Sequence, residues 1–316
     1  MTINIPLWFS IMLFSLLESL VGIILNIFLI VVNRNILRIG NEVNPSALLQ
    51  FFIAMINIFL LSALISEALL FVVFSHVFLI KEVIAFYLTI ITVLMYFQYW
   101  LITWLCLFYF TRTTTFSHKF FIWLKRNIPQ LLPYLLLISA VLSFAVSILF
   151  IPNGISQPQP SGNATLILPD FTFNTLYMML FTFLGCWTPF IVSFLSAGFT
   201  ASSLLTHIRN MKQGVLGFTR PQLKIYVNAV RTMTLLILLS VSYYLVAIFG
   251  LAIPFKLDDL HLLNWLFGVS YPTIEVAIII QSNTKLRRML QSWCSFTCRK
   301  MRNKQIKVSV GCGGGV

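Results

Sequence analysis

The amino-acid sequence predicts an all-α membrane protein: a bundle of seven transmembrane helices with its N-terminus outside and its C-terminus inside. Three observations carry this prediction: the scarcity of charge, seven continuous apolar runs, and the one-sided placement of the cations. Of 316 residues, 59% are hydrophobic and 9% charged, against about 25% charged in soluble domains. A water-facing fold of this composition lacks the polar surface to cover itself, so its solvent is lipid. The net charge of +13 would suit a nucleic-acid partner, but the cations sit at the ends of hydrophobic runs, which excludes that reading.

A helix needs about 20 mostly apolar residues to cross the hydrocarbon core. Seven segments qualify: about 7–33, 47–75, 83–111, 128–151, 176–206, 229–253 and 264–282. They are helices because lipid leaves every backbone N–H and C=O to be satisfied within its own segment. A barrel would need short alternating strands, and these runs are continuous. The first, Leu7 to Val32, is too long for the apolar part of a signal peptide and has no basic stretch before it; it reads as a span that also directs membrane targeting. The second carries Asn57 and Glu67, and the third ends at Arg112. Residues 152–175 follow the fourth as a long loop, where Gly154, Pro158, Pro160 and Gly162 mark irregular chain. A basic stretch separates the fifth and sixth spans. The seventh leads into NTKLRRMLQSWCSFTC, where Leu286, Met289, Leu290, Trp293 and Phe296 recur at helical spacing with cations between them. That pattern is an amphipathic helix on the inner leaflet. Cys294 and Cys298, one turn apart, are candidate palmitoylation sites. Residues 1–282 form the transmembrane domain and 283–316 a cytoplasmic tail.

Orientation follows from the cations. Arg34 and Arg38 follow the first span, and Arg112, Lys119, Lys125 and Arg126 the third. Arg209, Lys212, Arg220, Lys224 and Arg231 lie between the fifth and sixth, and the rest of this set is in the tail. Only Lys81 and Lys256 fall on the other side, so nineteen of the 21 share one face of the membrane. Short basic loops stay cytoplasmic. Asn163-Ala164-Thr165, in the long outer loop, is then a glycosylation sequon on the correct side.

Three carboxylates, Glu18, Glu67 and Glu275, lie within spans. Unpaired, each costs about 2.5–3.5 kcal/mol at a helix centre, so they face the bundle interior. Asn26, Asn57 and Gln98 are cheaper; each suits an interhelix hydrogen bond of about 0.6 kcal/mol. Glu18, Asn57 and Glu275 form either a polar lock between spans 1, 2 and 7 or simple interhelix contacts. Glu67, in the outer half of span 2, is either a ligand contact reached from outside or a structural acid. Enzyme chemistry finds little support. The four histidines lie at or outside span ends, the five cysteines lack metal-site spacing, and there is no phosphate-cradling glycine loop. No metal, cofactor or catalytic group is expected. The basic inner surface serves anionic lipid, at about 1 kcal/mol per residue, or docks an acidic cytoplasmic partner.

The chain resembles one family across residues 100–290, the bitter taste receptors (taste receptors type 2). Around the end of span 3 the matching residues are Trp100, Thr103, Leu105, Phe108-Tyr109-Phe110, Arg112, Phe116-Ser117, Phe121, Trp123-Leu124-Lys125 and Asn127-Ile128. Span 5 contributes Pro189-Phe190, Ser193, Ser203-Leu204-Leu205, His207 and Met211; span 6 Pro221, Lys224, Ala229 and Arg231; span 7 Tyr271-Pro272, Ile280, Asn283 and Lys285-Leu286-Arg287. The departures are specific. Asn57 stands where the family has an arginine, Glu275-Val276 where it has His-Ser, Tyr226 where it has a histidine, and Ile91 and Met95 where it has Trp and Asn. The acid–arginine pairing between spans 1 and 2 therefore cannot form, and a link from Asn57 to Glu18 or Glu275 is expected instead. The resemblance is that of a divergent member, and the departures imply a more apolar pocket.

The resemblance implies a plasma-membrane receptor for small, largely apolar, bitter-tasting molecules that activates a heterotrimeric G protein, taste-type Gα included. Its ligand site is expected in the outer half of the bundle, lined by Glu67, Ile91, Met95, Phe183, Tyr243, Tyr244 and Ser270. Its G-protein contacts are expected at Arg112, Lys125, Arg126, His207, Lys212, Lys224 and Arg231. A vomeronasal-type pheromone receptor is the alternative among receptors. A small-solute transporter or channel is the alternative of a different class, and it would need a continuous polar pathway that the spans do not offer.

Overall fold

The computed structural model describes residues 5–39, 44–74, 77, 80–114, 119–154, 183–212, 220–252, 258–293 and 295. The regular elements among them are helices: α1 (Ile5–Ile39), α2 (Pro45–Val73), α3 (Lys81–Thr113) and α4 (Lys119–Gly154). A π-helical turn (Phe183–Trp187) then runs directly into α5 (Thr188–Lys212), followed by α6 (Arg220–Ala252) and α7 (Asp258–Ser282). Residues 284–293 form a further helix, α8. Six stretches are long and apolar enough to cross a membrane: Ser10–Arg38, Pro45–Val73, Glu82–Thr113, Lys125–Leu149, Phe183–Thr206 and Val227–Val246. α7 packs with them against α1, α2 and α6.

The helices outrun the apolar segments that mark them. α4 begins at Lys119, not near 128, and α6 at Arg220, not 229. Apolar length reports the hydrocarbon thickness, whereas a helix continues for as long as its backbone bonds do. The 36 residues of α4 span about 54 Å at 1.5 Å per residue, well beyond a 30 Å core. The surplus carries exposed Lys119, Lys125 and Arg126. Asparagine sets the start of two helices, α2 and α8. Asn44 Oδ1 accepts from the Ser46 N–H at 3.2 Å ahead of Pro45 at the first helical position, which needs no N–H there. Asn283 separates α7 from α8, its Oδ1 accepting from the Lys285 N–H at 3.0 Å and the Leu286 N–H at 3.4 Å.

Cross-helix pairs give the topology. Asn26 meets Asn57, and Gly22 lies against Leu61, so α1 and α2 are antiparallel. Gln98 meets Asn57, while the Tyr109 hydroxyl bonds Ser46 and Gln50, so α2 and α3 are antiparallel. Thr103 meets Ser193 and Phe110 meets Phe199, so α3 and α5 run the same way. Ser240 meets Tyr271 while Tyr243 lies beside Gly268, so α6 and α7 are antiparallel. In this alternating bundle Arg38, Arg112, Lys125, Arg126 and Arg231 gather at one end.

Buried Leu29, Leu49, Ile53, Leu60, Leu61, Leu101, Leu105, Met233, Leu236 and Ile279 fill the centre. Trp104 ties α3 to α4 through its indole N–H, which donates to Ser139 Oγ at 2.9 Å. α8 is held by buried Leu286 and by Trp293, whose ring lies 5.8 Å from that of Phe28. The outside is equally apolar: Leu13, Phe14, Leu17, Val21 and Ile24 on α1 and Leu137, Ile138, Val141 and Phe144 on α4 are exposed. An exposed apolar surface this continuous is a lipid-contact belt.

Gly22 lets α1 approach α7, since a Cβ there would overlap Thr273 Oγ1 and press on Leu61. Gly22→Val should therefore destabilise the fold by about 1–3 kcal/mol through overpacking, read as a lower melting temperature of the detergent-solubilised protein.

Candidate functional site

Two features occupy the interior. The first is a polar cluster at mid-depth, built from one residue on each of four helices: Asn26 (α1), Asn57 (α2), Gln98 (α3) and Glu275 (α7), all fully buried. The Asn57 amide donates to Glu275 Oε2 at 2.8 Å, to Asn26 Oδ1 at 3.3 Å and to the Pro272 carbonyl at 3.5 Å. The Gln98 amide donates to Asn57 Oδ1 at 3.2 Å and to Glu275 Oε2. Asn26 in turn donates to the Gly22 carbonyl at 2.8 Å. Pro272 sits inside α7, where its missing N–H leaves a backbone carbonyl one turn earlier without its helical partner.

The polar lock thus forms with two of its three expected members. Asn57 and Glu275 are joined as expected; Glu18 is not part of the cluster. It lies one turn from Gly22, half-buried, and its Oε2 has no hydrogen-bond partner. Asn26 takes its place as the α1 member, and Gln98 adds α3. Both were legible as intramembrane amides, but which of them share a face of the bundle depends on helix rotations that no local pattern encodes.

The second feature is a cavity of about 130 Å³ between α3, α5 and α6. Tyr99, Ile102 and Thr103 bound it on α3, Cys186, Phe190 and Ser193 on the α5 side, and Ile237, Ser240 and Tyr244 on α6. Its walls are mostly apolar and aromatic. Trp187 meets Tyr244 edge-on with centroids 6.4 Å apart, and Tyr99 meets Tyr271 at 6.5 Å. Its few polar groups are largely occupied by the protein itself. Thr103 and Ser193 lie 2.9 Å apart, and each also bonds the Pro189 carbonyl at 2.9 Å. Ser240 bonds the Leu236 carbonyl at 2.9 Å and lies 3.4 Å from the Tyr271 hydroxyl. The Tyr96 hydroxyl bonds the Cys186 thiol.

The π-turn explains how α5 reaches this wall. It adds a residue to the turn before Pro189, and Gly185 within it packs where any Cβ would overlap the Tyr96 ring. Such turns recur at functional sites because they re-aim side chains without ending the helix.

Of the seven expected lining residues, Tyr244 bounds this cavity. The other six are placed elsewhere. Met95 is buried in the core and Ile91 packs against it. Tyr243 stacks on Tyr271 at 5.3 Å. Glu67 and Ser270 are half-buried, and Phe183 is exposed at the start of the π-turn. Thr103, Pro189, Phe190 and Ser193 were conspicuous as motif residues; that they enclose a volume was not. Arg112, Lys125, Arg126 and Arg231 are exposed at the basic end. His207 and Lys212 belong to the end of α5 and Lys224 to the start of α6; their side chains lie outside the described residues, as do Asn163, Cys294 and Cys298.

A family profile described as Taste receptor protein (TAS2R) matches residues 3–297. Taste receptor type 2 member 40 of Gallus gallus is 23% identical over 285 residues, covering 88% of this chain and 92% of the relative. Taste receptor type 2 member 4 of Homo sapiens is 27% identical over 238 residues, 75% of this chain and 79% of the relative. In fold, the chain is similar to squid rhodopsin, with a TM-score of 0.61 at 12% identity over 92% of this chain and 81% of that one.

Because Asn57 holds three helices to Glu275, Asn57→Ala removes donors from a buried acid. The expected cost is about 1–3 kcal/mol, measured as a drop in melting temperature larger than that of Ser62→Ala at an exposed position of the same helix.

Proposed function

Because the chain belongs to the taste receptor type 2 family of G-protein-coupled bitter taste receptors, we propose that the α3–α5–α6 cavity is where its agonist binds. The observation that carries this reading is the cavity's chemistry. It has aromatic and aliphatic walls, and the Thr103, Ser193 and Ser240 hydroxyls are already engaged by the protein. Such a site rewards burial of apolar surface and offers few polar anchors. At about 130 Å³ it approaches the roughly 150 Å³ cavity known to hold a benzene ring. The ligand class is therefore small, largely apolar molecules, with one ring-sized group inserted between Tyr99, Phe190 and Tyr244.

All seven helices cross the plasma membrane, with the N-terminus outside and the end bearing Arg112, Lys125, Arg126 and Arg231 in the cytoplasm. The positive-inside rule supports this orientation. The exposed guanidinium and ammonium groups there face an acidic surface of the heterotrimeric G protein. His207, Lys212 and Lys224 extend that surface from α5 and α6. Agonist acts by binding better to the state in which α5 and α6 separate at the cytoplasmic end. The cavity touches both helices above their basic ends, which gives the ligand differential contact with the two states.

Val241→Phe, which fills the cavity from α6, should raise the half-maximal agonist concentration about tenfold or more, equivalent to 1.4 kcal/mol. Calcium responses of cells screened with bitter compounds and a taste-type Gα read this out; unchanged potency would place the agonist elsewhere. Replacing Lys125, Arg126 and Arg231 together by alanine should cut signalling while surface expression holds. Unaltered signalling in that variant would remove these residues from G-protein docking. An N-terminal epitope should be labelled on intact cells and a C-terminal one only after permeabilisation.

A further inference from the structure

The cavity between α3, α5 and α6 has one side that the bundle leaves open. Its wall includes Trp187 and Phe190 on the α5 side and Val241, Tyr244 and Leu245 on α6. Phe190, Val241 and Tyr244 are half-buried. Trp187 and Leu245 are 46% and 47% exposed. Each belongs to the cavity wall and to the outer surface at once, one from either side of the α5–α6 seam. That surface faces hydrocarbon. Trp187, Ile191 and Phe194 are all exposed, and their spacing of four and three residues puts them on one face of the helix. Leu238 and Leu245, seven residues apart, form a matching exposed line on α6. Both lines lie within the apolar stretches Phe183–Thr206 and Val227–Val246, so they continue the lipid-contact belt.

The opposite wall is closed. Ile102 and Thr103 on α3 are buried, and Thr103 is tied to Ser193 and to the Pro189 carbonyl. Across the α5–α6 seam the contact is aromatic instead. Trp187 lies edge-on to Tyr244 and to Phe190, each with centroids 6.4 Å apart. α5 and α6 also pack on each other more sparsely than α3 on α4 or α6 on α7. Exposed side chains change rotamer in picoseconds to nanoseconds, far faster than helices separate. A rotation of Trp187 alone therefore clears the seam. We infer that the agonist enters this cavity sideways from the bilayer, between α5 and α6, with Trp187 as the gate. The ligand class narrows accordingly to molecules that dissolve in hydrocarbon and bear a ring-sized apolar group. A charged group on that path is excluded by its cost inside the membrane. What enters rests on the agonist reading of the cavity; the opening of the seam to lipid does not.

The test uses the purified full-length chain in lipid nanodiscs and two photoreactive probes that carry the same aryl diazirine ring. One is the free apolar ring. The other is a phosphatidylcholine with the ring at the end of an acyl chain, held in the bilayer by its headgroup. The carbene formed on irradiation inserts where it sits, and mass spectrometry locates the labelled residues. Both probes should label Ile102 or Thr103, which lie behind the seam, as well as exposed Leu137, Ile138 and Val141 on α4. Val241→Phe should abolish the inner label from both probes and leave that on α4 unchanged. Trp187→Ala should increase the inner label from the lipid-borne ring. If the free ring reaches Ile102 or Thr103 and the lipid-borne ring labels only the outer belt, lateral entry is overturned while the agonist reading of the cavity stands. If neither ring reaches them, the cavity admits no such group and both readings fall. Inner labelling that persists in Val241→Phe arrives by another path and also overturns the proposal. Should Val241→Phe not fold, the two probes compared on the unsubstituted receptor decide alone.

Discussion

Lipid offers no hydrogen bonds, and the interior of this bundle is arranged around that refusal. Asn57 is the clearest case, since a single fully buried amide touches residues of three helices. Remove it and α1 loses its polar tie to the other helices, while α2, α3 and α7 keep, among the described residues, only the Gln98–Glu275 and Tyr109 contacts to fix their rotation. Leucine and isoleucine surfaces slide over one another at little cost, whereas an amide that has lost its acceptor cannot find another in hydrocarbon. The serines and threonines obey the same constraint more locally. Ser15, Ser19, Thr103, Ser139, Ser143 and Thr200 all return a hydrogen bond to the carbonyl four residues earlier. They tolerate burial because they satisfy themselves.

This economy shapes the cavity as well. Its walls are made where α3 and α5 meet through Thr103, Ser193 and the Pro189 carbonyl. The Thr103, Ser193 and Ser240 hydroxyls are turned to structural use, and most of what faces the empty volume is ring and aliphatic surface. The apolar character of the cavity wall is thus a by-product of how two helices are joined. The aromatic chain from Tyr96 through Tyr99 and Tyr271 to Tyr243 runs beside both cavity and polar cluster. It puts the two features in one packed neighbourhood.

Much of the fold was legible in the sequence because the bilayer imposes length and charge rules on single segments. The positions of the apolar runs and the basic end needed only composition read in order. Boundaries were less legible: α4 and α6 start about nine residues early because helical backbone extends into polar surroundings that hydropathy reads as loop. The site was half legible. Asn57 and Glu275 could be paired in advance because each is a polar residue without another outlet. Glu18, equally polar, failed to join them because α1 turns Asn26 toward α2. Met95 and Ile91 occupied the right helix, but the register of α3 against the core was not encoded locally, so both pack inward while Tyr99 and Thr103 bound the cavity.

The π-turn at Phe183–Trp187 bears on how the chain tolerates length change. A helix with one surplus residue wound into a wider loop behaves as a reversible insertion: excising a single position from 183–187 would restore ordinary winding and re-aim the side chains of the turn itself relative to Pro189. Cys186 and Trp187 would leave the wall they now help build, while the helix below kept its place. Indels here would therefore remodel the cavity wall without disturbing the scaffold, a change of shape that point substitutions in the same segment do not offer.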